Sequence, residues 1–250
     1  DPSTGCRATL PVNVIQLMPG TGDSSLCAWI DTVSAFNSYP GGLFMSSLVT
    51  VTNLGGGAAL VYGHAPGIAT LTYVIPAGCS ITRLLTVNAL PESITGNYHL
   101  CLGSASTLYD ATPGGAWSSS DATVAAILSG TGVVTGMGTG TASITYTMPA
   151  TGCKTDTLVT VIAPPSVISG SDNLCVGTTI ALGDSTGGGL WTSSSPATAS
   201  VGATSGLVTG LAAGTATISY TIGSACTVTK AVTVNPLPTV YLTTGGGSYC

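Results

Sequence analysis

The chain has 250 residues, of which only 5% are charged, and a net charge of −5 from four Lys+Arg against nine Asp+Glu. So few basic residues exclude a nucleic-acid footprint, which needs clustered Lys and Arg, and attachment to an anionic membrane surface. Mean hydropathy is positive, yet the apolar residues are spread over short alternating segments, and none approaches the roughly 18 apolar residues of a membrane span.

In chain order, Cys6 to Ile15 has the pattern of a closing strand, and Asp1-Pro-Ser-Thr-Gly-Cys6 resembles the middle of a chain more than a leader. Gly41-Gly-Leu-Phe-Met-Ser-Ser47 opens a strand, and the string Leu60 to Tyr73 follows before the joint Leu90-Pro91. The same order then returns. Gly114-Gly-Ala-Trp-Ser-Ser-Ser120 is followed by Val133 to Tyr146, the alternating strand Leu158-Val-Thr-Val-Ile162, and Pro164-Pro165. It returns again as Gly188-Gly-Leu-Trp-Thr-Ser-Ser194, Leu207 to Tyr220, Thr227 to Val234 and Pro236-Leu-Pro238. Periodicity is two throughout, β-branched residues dominate, and Gly-rich turns separate the segments. An all-β fold is predicted, with about seven short strands per module.

The cysteines give the period. Cys6, Cys79, Cys153 and Cys226 are 73, 74 and 73 residues apart, and Cys27, Cys101, Cys175 and Cys250 are 74, 74 and 75 apart. Self-similarity at a fixed period marks repeated supersecondary units. The predicted organisation is 1–15, a last strand of a preceding module; 16–90, a divergent module 1; 91–164, module 2; 165–237, module 3; and 238–250, a first strand of a following module. Short proline linkers are stiff, so the expected array is rod-like.

Phe44, Trp117 and Trp191 lie 35, 36 and 35 residues before the later cysteine of their modules. An aromatic at a fixed place in an alternating strand is a plug between two sheets. The glycine pair before it is expected to make the turn into the strand, and the Ser/Thr run after it to point hydroxyls outward.

Trp-x-Ser-Ser, an Ala-Thr-Val or Ala-Ser-Val step, Gly-x-Val-Thr-Gly and Gly-Thr-Ala-x-Ile-x-Tyr together resemble bacterial immunoglobulin-like domains of group 2. These occur in tandem in adhesins of the intimin and invasin kind. The added cysteines resemble the variety in secreted repeat proteins of Bacteroidota. The match covers 91–235, and 16–90 with erosion, where Phe44 replaces Trp and Tyr62-Gly-His64 replaces Thr-Gly-Met or Thr-Gly-Leu. The resemblance implies tandem immunoglobulin-like β-sandwiches at the cell surface or secreted, in a structural or adhesive role, with neighbouring modules and other copies of the chain as partners. A glycan or host surface is the alternative partner. It implies no enzyme, no cofactor and no membrane insertion.

Eight cysteines without a Cys-x-x-Cys pair fit disulfides in an oxidising compartment rather than zinc. Three pairings are open. Within modules they are Cys27–Cys79, Cys101–Cys153 and Cys175–Cys226. Across linkers they are Cys6–Cys27, Cys79–Cys101, Cys153–Cys175 and Cys226–Cys250. The third joins the early cysteine of one module to the late cysteine of the next, Cys27–Cys153 and Cys101–Cys226. The immunoglobulin-like order implies that the early and late cysteines lie at opposite poles of a module, which favours the third, since a cystine tolerates at most about 7 Å between Cα atoms.

No catalytic grouping appears. Glu92 is the one glutamate, so paired glutamates are absent, and there is no Gly-x-Ser-x-Gly elbow. Asp31, Asp110, Asp121, Asp156, Asp172 and Asp184 are scattered without a calcium-loop spacing, although Asp23 and Asp172-Asn173 fall near joints. His64 replaces Met137 and Leu211 of the sister modules and is expected half-buried in a loop; His99 is the other histidine. Thr32, Thr157 and Ser185, each following an aspartate, resemble acceptors of Bacteroidota O-glycosylation. Tyr39, Tyr98 and Tyr109 are the aromatics that a binding surface would use.

Overall fold

The computed structural model describes residues 21–22, 24–29, 32–38, 41–223 and 226–237. Among these every regular element is a strand, and no helix is long and apolar enough to cross a membrane. The terminal fragments 1–15 and 238–250, with Cys6, Cys250, Asp23, Asp31 and Tyr39, lie outside the described residues.

The twenty-two strands among the described residues fall into three successive sets. The first is β1 (Thr21–Gly22), β2 (Ser25–Cys27), β3 (Thr32–Phe36), β4 (Leu43–Met45), β5 (Val49–Gly55), β6 (Ala58–Gly63), β7 (Gly67–Val74) and β8 (Ser80–Asn88). The second is β9 (His99–Cys101), β10 (Ala105–Thr107), β11 (Ala116–Ser119), β12 (Ala125–Ile127), β13 (Val133–Gly136), β14 (Gly140–Thr147) and β15 (Lys154–Ile162). The third is β16 (Asn173–Cys175), β17 (Thr179–Ala181), β18 (Leu190–Ser193), β19 (Ala199–Val201), β20 (Leu207–Gly210), β21 (Gly214–Ile222) and β22 (Cys226–Asn235).

Each set makes two sheets, so the fold is all-β with tandem sandwiches. The orders are β1-β3-β6-β5 with β2-β8-β7-β4, then β10-β13-β12 with β11-β14-β15-β9, then β17-β20-β19 with β16-β22-β21-β18. The first strand of each four-stranded sheet containing an early cysteine runs parallel to the last strand of the same set. Cys27 faces Asn88, Cys101 faces Ile162 and Cys175 faces Asn235. All other strand pairs of known register are antiparallel, as hairpins require.

The alternation Ala216-Thr-Ile-Ser-Tyr220 buries Ala216, Ile218 and Tyr220 and turns the residues between them outward. Beside them in the same sheet Val232 and Val234 of β22, and across from them Val208 of β20, close the core of the third pair. In the first pair Val61 of one sheet and Leu71, Tyr73 and Leu85 of the other form the equivalent core. A core of this size carries a small surplus over chain entropy, so covalent cross-links matter to it.

Contacts divide the chain into two compact units. The first takes in the described residues up to Ile94 with Asp110–Ala116 and Tyr146–Asp156. The second takes in Thr95–Tyr109, Trp117–Thr145 and the described residues from Thr157 onward.

Candidate functional site

The thrice-repeated glycine-glycine-x-aromatic phrase sits at the same place in each sheet pair. Phe44 in β4, Trp117 in β11 and Trp191 in β18 are all buried. Phe44 packs on Tyr73 and Trp191 on Tyr220, each with ring centroids 4.6 Å apart and tilted, an arrangement aromatic pairs favour. The two glycines do different work. Gly41, Gly114 and Gly188 adopt φ of 89°, 88° and 83°, the left-handed backbone of a turn. Gly42, Gly115 and Gly189 instead donate their N–H groups to the hydroxyls of Tyr73, Tyr146 and Tyr220 at 3.0, 2.8 and 2.8 Å. The expectation that the pair serves only the turn is therefore incomplete: the second glycine makes room for a tyrosine.

The Ser/Thr run is also not wholly outward. Ser120 Oγ accepts the Ser143 N–H at 2.9 Å, Ser194 Oγ accepts the Thr217 N–H at 2.9 Å, and Ser193 Oγ donates to the Ala199 carbonyl at 2.7 Å. These hydroxyls tie the strand end to its neighbours.

The structure bonds Cys27 to Cys153 with Cα atoms 5.5 Å apart, and Cys101 to Cys226 with Cα atoms 5.3 Å apart. Both separations suit a cystine. The parallel registers explain why neither bond closes within one sheet pair. Cys27 lies opposite Asn88, nine residues beyond Cys79, and nine residues of strand span about 30 Å. Cys79 and Cys175 are free and exposed among the described residues.

Among the described residues no group of three or more His, Cys, Asp or Glu gathers. Asp110 and Asp184 occupy equivalent turns, where one carboxylate oxygen accepts the N–H of Thr112 or Thr186 at 2.7 Å. Asp172 accepts from its neighbour Asn173 at 2.7 Å. Asp121 accepts from the N–H and hydroxyl of Thr123 at 2.9 and 2.6 Å, and these bonds hold its carboxyl below the ordinary value of 3.8. His64 is exposed, not half-buried, because the position it shares with Met137 and Leu211 lies on the surface, where its ring meets Trp29 and Tyr62 and is hydrogen-bonded to Thr50. His99 and Tyr109 are exposed and Tyr98 is half-buried. Thr32 and Ser185 are exposed and Thr157 is half-buried within β15; Ser185 alone of the three lies between strands.

Tyr73, Tyr146, Tyr220 and Trp29 were passed over at the level of sequence. The tyrosines close the repeated Ile-Thr-Tyr, Leu-Thr-Tyr and Ile-Ser-Tyr strings, and Trp29 breaks the repeated Leu-Cys-x-Gly phrase.

Comparison with known proteins matches residues 165–234 to the model of the bacterial Ig-like domain (group 2). No curated protein matches the sequence. Among solved structures, the chain is similar to a C-terminal 282-residue fragment of intimin in complex with the intimin-binding domain of the translocated intimin receptor, at 11% identity and TM-score 0.43, over 61% of this chain and 67% of that one. It is also similar to invasin, a bacterial integrin-binding protein, at 15% identity and TM-score 0.36, over 86% of this chain and 59% of that one. The surface layer protein SbsC, domains 1–6, is similar at 18% identity and TM-score 0.26, over 83% of this chain and 40% of that one. The chain thus spans less than two thirds of the invasin and SbsC structures. The matched segment coincides with the third sheet pair, and the first two pairs repeat its parallel edge strand, its glycine pair and its buried aromatic, so the fold is a tandem array of immunoglobulin-like β-sandwiches, of which residues 165–234 match the bacterial Ig-like domain of group 2.

Proposed function

We propose that the chain is a structural repeat segment of a long extracellular fibre, stalk or adhesin, divided into modules 16–90, 91–164 and 165–237 and stiffened by disulfides into a rod. The carrying observation is that each cystine joins cysteines about 125 residues apart, so it links one sheet pair to the next instead of closing its own. Such bonds resist bending at the proline joints. The free thiols Cys79 and Cys175 stand where their counterparts are bonded, which supports continuation of the ladder into further modules or copies. A surface with few charges fits one that is largely covered in an assembly, and an oxidising extracellular compartment fits the cystines. Ser185 and Thr32, exposed, and Thr157, half-buried, remain acceptor candidates for O-linked sugar, which an intact mass above 24.4 kDa for this chain would reveal.

Electron microscopy of the native material tests the proposal. Long filaments of constant width are the expected result, and dispersed particles that never associate would overturn it.

A further inference from the structure

The first sheet pair departs from the other two at one point on its surface. Gly103 and Gly177 follow the early cysteines by two residues, at φ of 82° and 84°. Each donates its N–H at 2.8 Å, to Gly136 and Gly210 respectively. Trp29 holds the same place, donating to Gly63 at 2.8 Å with φ of 67°. Among the described residues it is the only non-glycine with positive φ. A bulky side chain in the left-handed region is an outlier that persists only where the surroundings enforce it. The indole is 59% exposed, so core packing does not account for it.

The surroundings have changed in concert. Tyr62 replaces Thr135 and Thr209 of the sister pairs, and its hydroxyl donates to the Trp29 carbonyl at 2.5 Å, pinning the strained peptide. His64 replaces Met137 and Leu211. Its ring centroid lies 5.6 Å from that of Trp29 and 5.0 Å from that of Tyr62, with the planes at 72° and 78°, and Nε2 is hydrogen-bonded to the Thr50 hydroxyl. Three rings thus meet at the surface where the other pairs have none, and the four side chains include no carboxylate, guanidinium or ammonium.

We infer that Trp29, Tyr62, His64 and Thr50 form a binding site for a neutral glycan. A pyranose has an apolar face of C–H bonds and a rim of hydroxyls. The indole face, with its negative quadrupole, receives the C–H face, and the imidazole and the Thr50 hydroxyl reach the rim. Among the described residues the cluster holds no lysine or arginine, which disfavours an acidic sugar, and no carboxylate, which disfavours a cationic ligand.

The test is calorimetric titration of the full chain with neutral oligomers of glucose, galactose, mannose and N-acetylglucosamine, with a sialylated glycan and an acidic peptide as comparisons. Binding of at least one neutral oligomer is expected, weakened about tenfold or more by Trp29→Gly, as for loss of an aromatic anchor, and by His64→Leu. Trp29→Gly restores the residue of the sister pairs, so the protein stays folded, with a melting temperature no lower than that of the parent chain. Binding of none of the neutral oligomers, binding only of the acidic probes, or undiminished binding by Trp29→Gly would each overturn the inference. None of these outcomes depends on whether the chain forms fibres.

Discussion

The hydroxyl of Tyr220 accepts the N–H of Gly189 at 2.8 Å and donates to the carbonyl of Thr186 at 2.6 Å. One phenol thereby fastens both sides of the turn that precedes Trp191. The same glycine is sterically required: a Cβ there would lie 2.4 Å from Tyr220 Cζ and 2.8 Å from the Thr221 carbonyl oxygen.

Tyr220→Phe removes both bonds and leaves two partly buried backbone groups without that partner, and is expected to cost about 1 kcal/mol. Gly189→Ala forces the tyrosine out of place, at about 1–3 kcal/mol for overpacking. The double variant should lose less than the sum, because both changes break one contact. Urea unfolding followed by tryptophan fluorescence measures all three; strict additivity would show that the two residues do not act together.

Peptide mapping of unreduced protein should yield the Cys27–Cys153 and Cys101–Cys226 peptides, with Cys79 and Cys175 open to alkylation in chains not joined to others. A Cys101–Cys153 peptide would contradict the pairing. Cys226→Ser should lower the melting temperature, since a cystine closing a loop on the order of 100 residues contributes up to about 4–5 kcal/mol in the chain-entropy account.

The turn at Asp121 should be insensitive to mild acid. Its folded carboxyl titrates below 3.8 because Thr123 hydrogen-bonds the charged form. A depressed folded value means that the contribution is present above the unfolded value and lost as pH falls through the folded one. NMR titration should therefore place Asp121 below 3.8, and Thr123→Ala should raise it. Ser195 takes the equivalent place in the third pair, its hydroxyl donating to Thr198 Oγ1 at 3.0 Å, and that turn should show no such titration.

The three tryptophans should separate by accessibility. Trp117 and Trp191 are 8% and 5% exposed, whereas Trp29 is 59% exposed. Acrylamide should quench one component strongly, and Trp29→Gly should abolish that component. Persistence of the quenchable fraction in the variant would refute the burial of the other two.

Much of this architecture is legible in the amino-acid order, because alternation reports which face of a strand is buried and a fixed period reports a repeated unit. Ala216, Ile218 and Tyr220 show it directly. What alternation does not report is the partner. Nothing local tells that Gly189 serves Tyr220, 31 positions on, or that Cys27 runs parallel to a strand that ends at Asn88. The cystine pairing was ambiguous for the same reason: one period accommodates three registers, and only the poles at which the cysteines emerge distinguish them. Trp29 was visible in principle, as Leu-Cys-Ala-Trp beside Leu-Cys-Leu-Gly and Leu-Cys-Val-Gly. Its meaning depended on a backbone angle that composition does not disclose. His64 was misjudged because replacement of Met or Leu implied burial, whereas Met137 and Leu211 are themselves 57% and 51% exposed.

The two cystines overlap along the chain: one spans 27 to 153, the other 101 to 226. A protease that severs any single peptide bond between Cys27 and Cys226 therefore leaves the halves tethered, and a cut between Cys101 and Cys153 leaves them tethered twice. Under oxidising conditions the molecule tolerates nicking without coming apart, a form of damage resistance that vanishes on reduction.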